Sequence, residues 1–428
     1  MNIDITSEIN RLQSVILHQP GEEQNFVMPE NLNEWIPGKN KLLHNPDYLL
    51  FDDIINSKSA LLEHNELTKV LKHFIGESNC LSIINLLHDI LGNIEIREQF
   101  INECISLEKT LYGSIFSNKN INKIMTADTK SLIFTILTGR FFDSSNIFFS
   151  HPIPNLIFTR DIAAVIGKTL VLTWGCRMAR RRENIIAKYI FNFHKFFKNI
   201  NIYDFHYHNP KLSLEGGDII IFDKNNVCIG LSERTTKETI NTLLPIIFNE
   251  GFKKVYAIDL PKQRSVMHLD TIFNRINLDE VVIFPPIFDP NNSNFIPTKI
   301  YSISPNQTLG NCHVYKDSLV NILKKEGTDL STINCGGEEK HNQIREQWTE
   351  GANFFTIKPG IIVGYDFNYH TITSLEKSGY THVKSIDFFN NISLYQKIKK
   401  ILISIPGSEL SRGRGGARCL TLPLMRKF

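Results

Sequence analysis

The densest chemistry in the chain lies at its end, where residues 409–424 read ELSRGRGGARCLTLPL. One cysteine, Cys419, follows three arginines, Arg412, Arg414 and Arg418, with glycines between them. Nearby positive charge lowers a thiol pKa from roughly 8.5 toward neutrality and makes the sulfur a nucleophile. Glycines let the backbone turn sharply and let a ligand approach it. A flexible basic tail is the plainer reading, but such tails do not usually run into an apolar CLTLPL, which reads as a short strand. HLD places His268 and Asp270 two apart, on one face if the segment is a strand. Cysteine, histidine and carboxylates form the inventory of nucleophilic catalysis. A metal site built from Glu215, His268, Asp270 and Cys419 is the rival. It is weakened by the single well-placed histidine and by arginines near Cys419 that repel a cation.

Two acids stand in matching places. Asp161 ends NLIFTRD and Glu215 opens EGGD, each just before a strand–turn–strand pattern. An arginine follows each at the same distance, Arg180 at 180 − 161 = 19 and Arg234 at 234 − 215 = 19. Equal offsets in repeated units place equivalent groups around a common axis. Carboxylates beside a thiol raise its pKa, which suits a nucleophile only if the substrate is a cation. A guanidinium is flat and pairs with carboxylates through two hydrogen bonds, leaving its carbon open to sulfur. Arginines in the same site require a negative end as well, and free arginine has both. Other charged residues carry plainer expectations. Asp52 and Asp53 read as a helix N-cap, Arg160 as an ion-pair partner, Asp218 as a turn or backbone-binding residue, and Arg418 as a neighbour of Cys419 that can point away from it. Arg177, Arg181 and Arg182 are competitors for the role of Arg180.

Strand pairs followed by helices must hold these groups. IAAVIGKTLVLTW (162–174), DIIIFDKNNVCIGL (218–231) and FTIKPGIIVGYD (355–366) each read as strand, tight turn, strand. Each precedes a segment of helical periodicity, so a hairpin–helix unit recurs. VYAIDL (255–260) and VVIFPPI (281–287) add strands, and INRL (9–12) reads as a helical lead into a strand at 14–18. From Ser57 to about Arg140 the periodicity is helical with no convincing strand.

Composition bounds the rest. The chain has 428 residues, 42% hydrophobic and 21% charged, with a net charge of +3. That charge is too mild for a nucleic-acid partner. No apolar run approaches the roughly 18 residues of a membrane span. The N-terminal MNIDITSEINRL lacks a basic region followed by an apolar one, so no signal peptide is expected. The seven cysteines are scattered without a CxxC pair, which points to a reduced, cytoplasmic setting.

In order, VILHQPG, LLFDDI, NLIFTRD, ARRRE, LEGGD, HLDT, REQW…GAN…KPGIIVGY and RGRGGARC make a pattern spanning nearly the whole chain. It resembles the arginine deiminases of the guanidino-group-modifying (pentein) superfamily. The resemblance implies a five-fold pseudosymmetric α/β propeller, a single catalytic domain over 1–428 with an inserted helical bundle at 66–142. It implies Cys419 as nucleophile, His268 as general acid and base, Asp161 and Asp270 on the guanidinium, and Glu215 between substrate and His268. Arg180, Arg234 and Arg414 match positions that hold the substrate carboxylate, and Asn155, Phe158 and Gly413 match positions lining the substrate. It implies hydrolysis of L-arginine with no metal or cofactor, in a homo-oligomer. Methylarginine hydrolysis, agmatine deimination and amidino transfer are alternatives on the same scaffold, and a non-catalytic arginine-binding or host-interaction protein is a further one. Ala417 in place of proline, LTLPL in place of a Met-Ser-Met-Pro run, and Asn274 in place of threonine depart from the family pattern without removing a reactive group.

Overall fold

The structure, a computed structural model, describes residues 1–39, 41–144 and 146–428. Five sheets share one plan: an inner strand, an antiparallel middle strand and a parallel outer strand. Blade II is Ala163–Ile166, Thr169–Leu172 and Asn201–Asp204. Blade III is Ile219–Ile221, Asn226–Leu231 and Lys254–Asp259. Blade IV is Phe273–Arg275, Glu280–Ile283 and Ser331–Asn334. Blade V is Phe355–Lys358, Ile361–Tyr365 and Ile401–Ile405. Blade I joins the two ends of the chain: its inner strand, Leu422–Lys427, pairs with Arg11–Leu17, which pairs with Cys80–Ser82. The fold is the five-fold pseudosymmetric α/β propeller implied by the resemblance.

The hairpin–helix repeat has a physical basis in every blade. A parallel pair needs a crossover, and here a helix links each middle strand to its outer strand. These helices include Ser57–Ile75, Arg181–Phe193, Lys237–Asn249, Leu319–Lys325 and Tyr369–Lys377. Strands covered on both faces become continuous apolar runs; Ala163–Ile166 and Thr169–Leu172 are buried throughout. Gly167 (φ 57°) and Gly360 (φ 78°) take left-handed conformations at two of the hairpin turns.

Several local expectations change. The chain before the first strand is a turn rather than a helix, and the strand runs Arg11–Leu17. Asn56, not Asp52 or Asp53, caps Ser57–Ile75, accepting from Ser59 N–H. The strand Cys80–Ser82 lies within the stretch read as purely helical. Beyond it, Ile83–Leu91, Ile94–Tyr112, Asn118–Thr126 and Thr129–Thr138 form a helical layer beside Arg181–Phe193, with Phe100 edge-on to Tyr189 at 5.1 Å. In VVIFPPI only Glu280–Ile283 is strand, because the prolines open a short helix, Pro285–Phe288. No helix among the described residues is long and apolar enough to cross a membrane.

Candidate active site

The turn that enters each blade's inner strand carries the reactive groups. These turns are Thr159–Asp161, Gly216–Asp218, Leu269–Thr271, residues 350–353 and residues 417–421. His268 and Asp270 therefore sit on a turn of 3-10 helix, not on a strand, with His268 at its extended N-cap.

Hydrogen bonds close these turns into a ring. Gly217 N–H donates to Asp161 Oδ1 (3.0 Å), joining blades II and III. Leu269 N–H donates to Asp218 Oδ1 (3.1 Å), joining III and IV. Asn353 Nδ2 donates to the Asp270 carbonyl (3.0 Å), joining IV and V. Asn353 Oδ1 accepts from the N–H groups of Arg418 and Cys419, each at 3.1 Å, joining V and I. Arg160 N–H donates to the Cys419 carbonyl (3.1 Å) and returns to blade II. The glycine pair of LEGGD is needed for this closeness: a Cβ on Gly217 would lie 2.5 Å from His268 Nδ1, and one on Gly216 would overlap the Arg160 carbonyl.

Within the ring, the Cys419 sulfur lies 3.7 Å from Asp270 Oδ2. His268 Nε2 lies 2.8 Å from Glu215 Oε2, and its Nδ1 is 3.8 Å from Asp161 Oδ1. Burial alone would lower the imidazole pKa, but Asp161 and the Glu215 hydrogen bond outweigh it and hold His268 at about 9. Burial works against ionisation of Glu215 too, yet Arg234 and His268 pull its pKa well below the usual carboxylate range. The thiol goes the other way. Burial, then Asp270, Glu350 and Asp161, push Cys419 well above the ordinary thiol value, and Arg418 only opposes them. The expectation that flanking arginines ionise the thiol is overturned for this state. Arg418 is its sequence neighbour, but its guanidinium is engaged by Asp270 (2.7 Å) and Glu8 (2.9 Å).

The family model for arginine deiminase matches residues 47–426. The arginine deiminase of Clostridium perfringens is 34% identical over 447 aligned positions, covering 99% of this chain and 98% of that one. The arginine deiminase of Mycoplasma capricolum is 32% identical, covering 99% and 97%. The chain belongs to the arginine deiminase family. In fold it is similar to the N-terminal domain of ArgZ bound to product, an arginine dihydrolase from the ornithine–ammonia cycle in cyanobacteria. That match has a TM-score of 0.51 and 13% identity, covering 96% of this chain and 97% of that one.

In this arginine deiminase-family chain, Cys419, His268, Glu215, Asp161, Arg180, Arg234, Arg414, Asn155, Phe158 and Gly413 line one cavity. Asp270 lies against it through the sulfur. The cavity holds about 20 Å³, room for a water but not for an amino acid. Arginines fill much of the space. Arg180 pairs with Asp161 (2.5 Å) and Glu183 (2.9 Å). Arg234 lies 3.7 Å from Glu215. Arg414 lies over the Trp348 ring at 3.8 Å and donates to the Trp348 carbonyl. The competing arginines face elsewhere: Arg177 to Glu34, Arg181 over Trp174 and Arg182 to Glu108. Ligand atoms of Asp161, Glu215 and His268 lie within 4.8 Å of one another, the spacing of a metal-binding group. Arg180 and Arg234 pair with the two carboxylates of that group in this state, so any arriving cation must displace them.

Sequence reading missed several residues here. Leu50, Arg264, Met267 and Thr271 line the cavity, and Asn353 links its floor. Glu350 is buried, both its oxygens lack hydrogen-bond partners, and Arg414 Nε is 3.9 Å away. The GAN motif adjoins Glu350 and was the one available signal. Arg160, expected in an ion pair, instead donates through Nε to the Arg418 carbonyl. Asp52 pairs with Arg264 (3.2 Å) and approaches Arg414 (3.7 Å), so LLFDDI belongs to the rim of the cavity. Asp218 is a backbone-binding residue, accepting also from the Ser232 and Thr235 hydroxyls.

Proposed function

We propose that the protein hydrolyses L-arginine to L-citrulline and ammonia through a covalent S-amidino adduct on Cys419. The observation that carries this reading is the sulfur at 3.7 Å from Asp270, inside a ring that also presents His268 and Asp161. A guanidinium gripped by Asp161 and Asp270 lies with its carbon against the sulfur. Its positive charge cancels the carboxylates that hold the thiol proton, so substrate binding activates its own nucleophile. Sulfur then adds to the guanidinium carbon. His268 enters protonated, passes its proton to a terminal nitrogen, and ammonia leaves. The neutral imidazole next takes a proton from water, hydroxide adds to the adduct, and the C–S bond breaks to give citrulline. The thiol proton lost at the start leaves with ammonia as ammonium, and the surplus proton of the adduct restores the thiol.

Arg180, Arg234 and Arg414 take the substrate carboxylate in this scheme, which disfavours agmatine, an amine with no carboxylate. A pocket of about 20 Å³ must widen to admit arginine, and RGRGG is the segment assigned to that movement. The helices within 66–142 are read as an excursion from a single catalytic domain. Those from Ile83–Leu91 to Thr129–Thr138 leave after the outer strand of blade I and return before blade II, whereas residues 66–82 of the expected span belong to the crossover helix and outer strand of blade I itself.

Citrulline formation from arginine, compared with agmatine and methylarginine, tests the reading. Cys419→Ala abolishes turnover while leaving a folded protein. Near-normal turnover in that variant overturns the covalent route. Release of two ammonia molecules with ornithine overturns the simple deimination.

A further inference from the structure

Glu63 lies on the helix Ser57–Ile75, far in sequence from the nucleophile, and only 6% of it is exposed. A buried carboxylate is usually paired with a cation. Among the described residues, none of the ion pairs involves Glu63. Its partners instead belong to one short stretch of backbone. The Ser408 hydroxyl donates to Oε1 (2.8 Å), Glu409 N–H to Oε2 (3.0 Å) and Leu410 N–H to Oε2 (2.9 Å). Hydrogen bonds to an ionised acceptor are stronger than neutral ones. These converge on the entry to the glycine-rich loop.

The same helix start grips the loop again. Asn56 N–H donates to Glu409 Oε2 (2.7 Å), and Asp53 pairs with Arg412 (2.7 Å). The exit of the loop is held separately, by Tyr365 hydroxyl on the Gly415 carbonyl (2.6 Å) and by Asn353 on Cys419. Between these anchors lie residues 411–414, including Arg414, which is held at φ 65° in the left-handed region. A side chain that fixes the entry therefore sets where Arg414 stands.

We infer that Glu63 is a positioning residue for substrate binding: by holding residues 408–410 it places the Arg414 guanidinium where the substrate carboxylate arrives. This rests on the proposed arginine-hydrolysing function. Glu63→Gln is the informative variant, because it preserves size but turns an –NH2 toward backbone donors.

Two readouts follow, with Glu66→Gln on the same helix as the control, since Glu66 binds Ser385 and not the loop. In Glu63→Gln the KM for arginine rises about tenfold with kcat within threefold. Trypsin cleavage after Arg412, already an exposed residue, speeds several-fold at a temperature where the protein is folded. Glu66→Gln changes neither. If Glu63→Gln does not fold, Ser408→Ala removes one donor with the helix untouched and raises KM about threefold. An unchanged KM in the folded variant overturns the inference, whatever the cleavage rate. Failure of the wild-type protein to form citrulline defeats the proposed function instead, so the two failures are distinct.

Discussion

Arg180 turns back on Asp161, the acid 19 residues before it, and closes an ion pair of 2.5 Å inside the cavity. Arg234 stands in the same relation to Glu215, at 3.7 Å. In each unit the acid opens the inner strand and the arginine follows the hairpin, so the repeat brings them together by construction. Each pair leaves its carboxylate neutralised while no substrate is bound. A guanidinium arriving at Asp161 replaces one that the protein already supplies, so Asp161 need not be stripped of charge or left bare.

Replacing Arg180 with lysine keeps the charge but removes the fork that reaches Asp161 and Glu183 together. The expected result is a rise of about tenfold or more in the KM for arginine. Arg180→Ala leaves the buried Asp161 and Glu183 without their shared cation and costs on the order of 3–5 kcal/mol of stability. Denaturant unfolding alongside steady-state kinetics separates the two effects.

The proton inventory of the free protein gives a second prediction. His268 is held at about 9, above its ordinary 6.5. Its contribution to stability is therefore complete below pH 6.5 and is lost as pH rises through 9. Unfolding curves from pH 6 to 10 should show the wild type losing its advantage over His268→Gln across that window. Because burial and Asp270 hold the Cys419 thiol protonated, iodoacetamide should label it slowly at pH 7. Asp270→Asn should speed labelling at fixed pH. Rapid labelling of the wild type at pH 7 contradicts this account.

The hairpins were legible because Gly-Lys, Pro-Gly and DKNN turns stand between apolar runs, and local chemistry fixes such turns. The strands Ser331–Asn334 and Ile401–Ile405 were not, since the first pairs with Glu280–Ile283 and the second sits between Ile361–Tyr365 and Thr381–Lys384, and no tight turn joins either to a partner. The same limit governed the site. Equal offsets located Arg180 and Arg234, while adjacency alone did not place Arg418, whose guanidinium turns from the thiol to Glu8 and Asp270. Asn353 carries no charge and resembles any loop asparagine until three of the ring's backbone groups are seen to meet at its side chain. Ala417 is fully buried, and its carbonyl accepts from Thr421, so the departure from proline leaves that turn hydrogen-bonded.

Glu350 supplies a third prediction. Burial raises its pKa from 4.5 to about 7, with Arg414 opposing and Asp270 adding to the rise. The unfolded carboxyl ionises near 4.5 and the folded one near 7, so stability falls as pH climbs between those values and stays lower above them. Glu350→Gln removes that penalty. It should raise stability at pH 8 by about 3 kcal/mol at most and leave pH 4 nearly unchanged. Equal effects at both pH values would show that packing, not ionisation, governs the position.

Gly217 concentrates the geometric demands of the site in one atom. A methyl group there would stand 2.5 Å from His268 Nδ1 and 3.1 Å from Asp161 Oδ1. Neither neighbour is free to yield. His268 is fixed by Glu215 at its other nitrogen, and Asp161 is fixed by Arg180 and by Gly217's own N–H. The imidazole must therefore rotate off Glu215 or move away from the sulfur. Displacements near 1 Å at a reacting group cost on the order of a hundredfold in rate. Gly217→Ala should lower kcat by about that factor while the protein remains folded, and its pH–rate profile should shift as His268 loses its carboxylate partners. Wild-type kcat in this variant would mean that the imidazole has more room than the ring of turns allows.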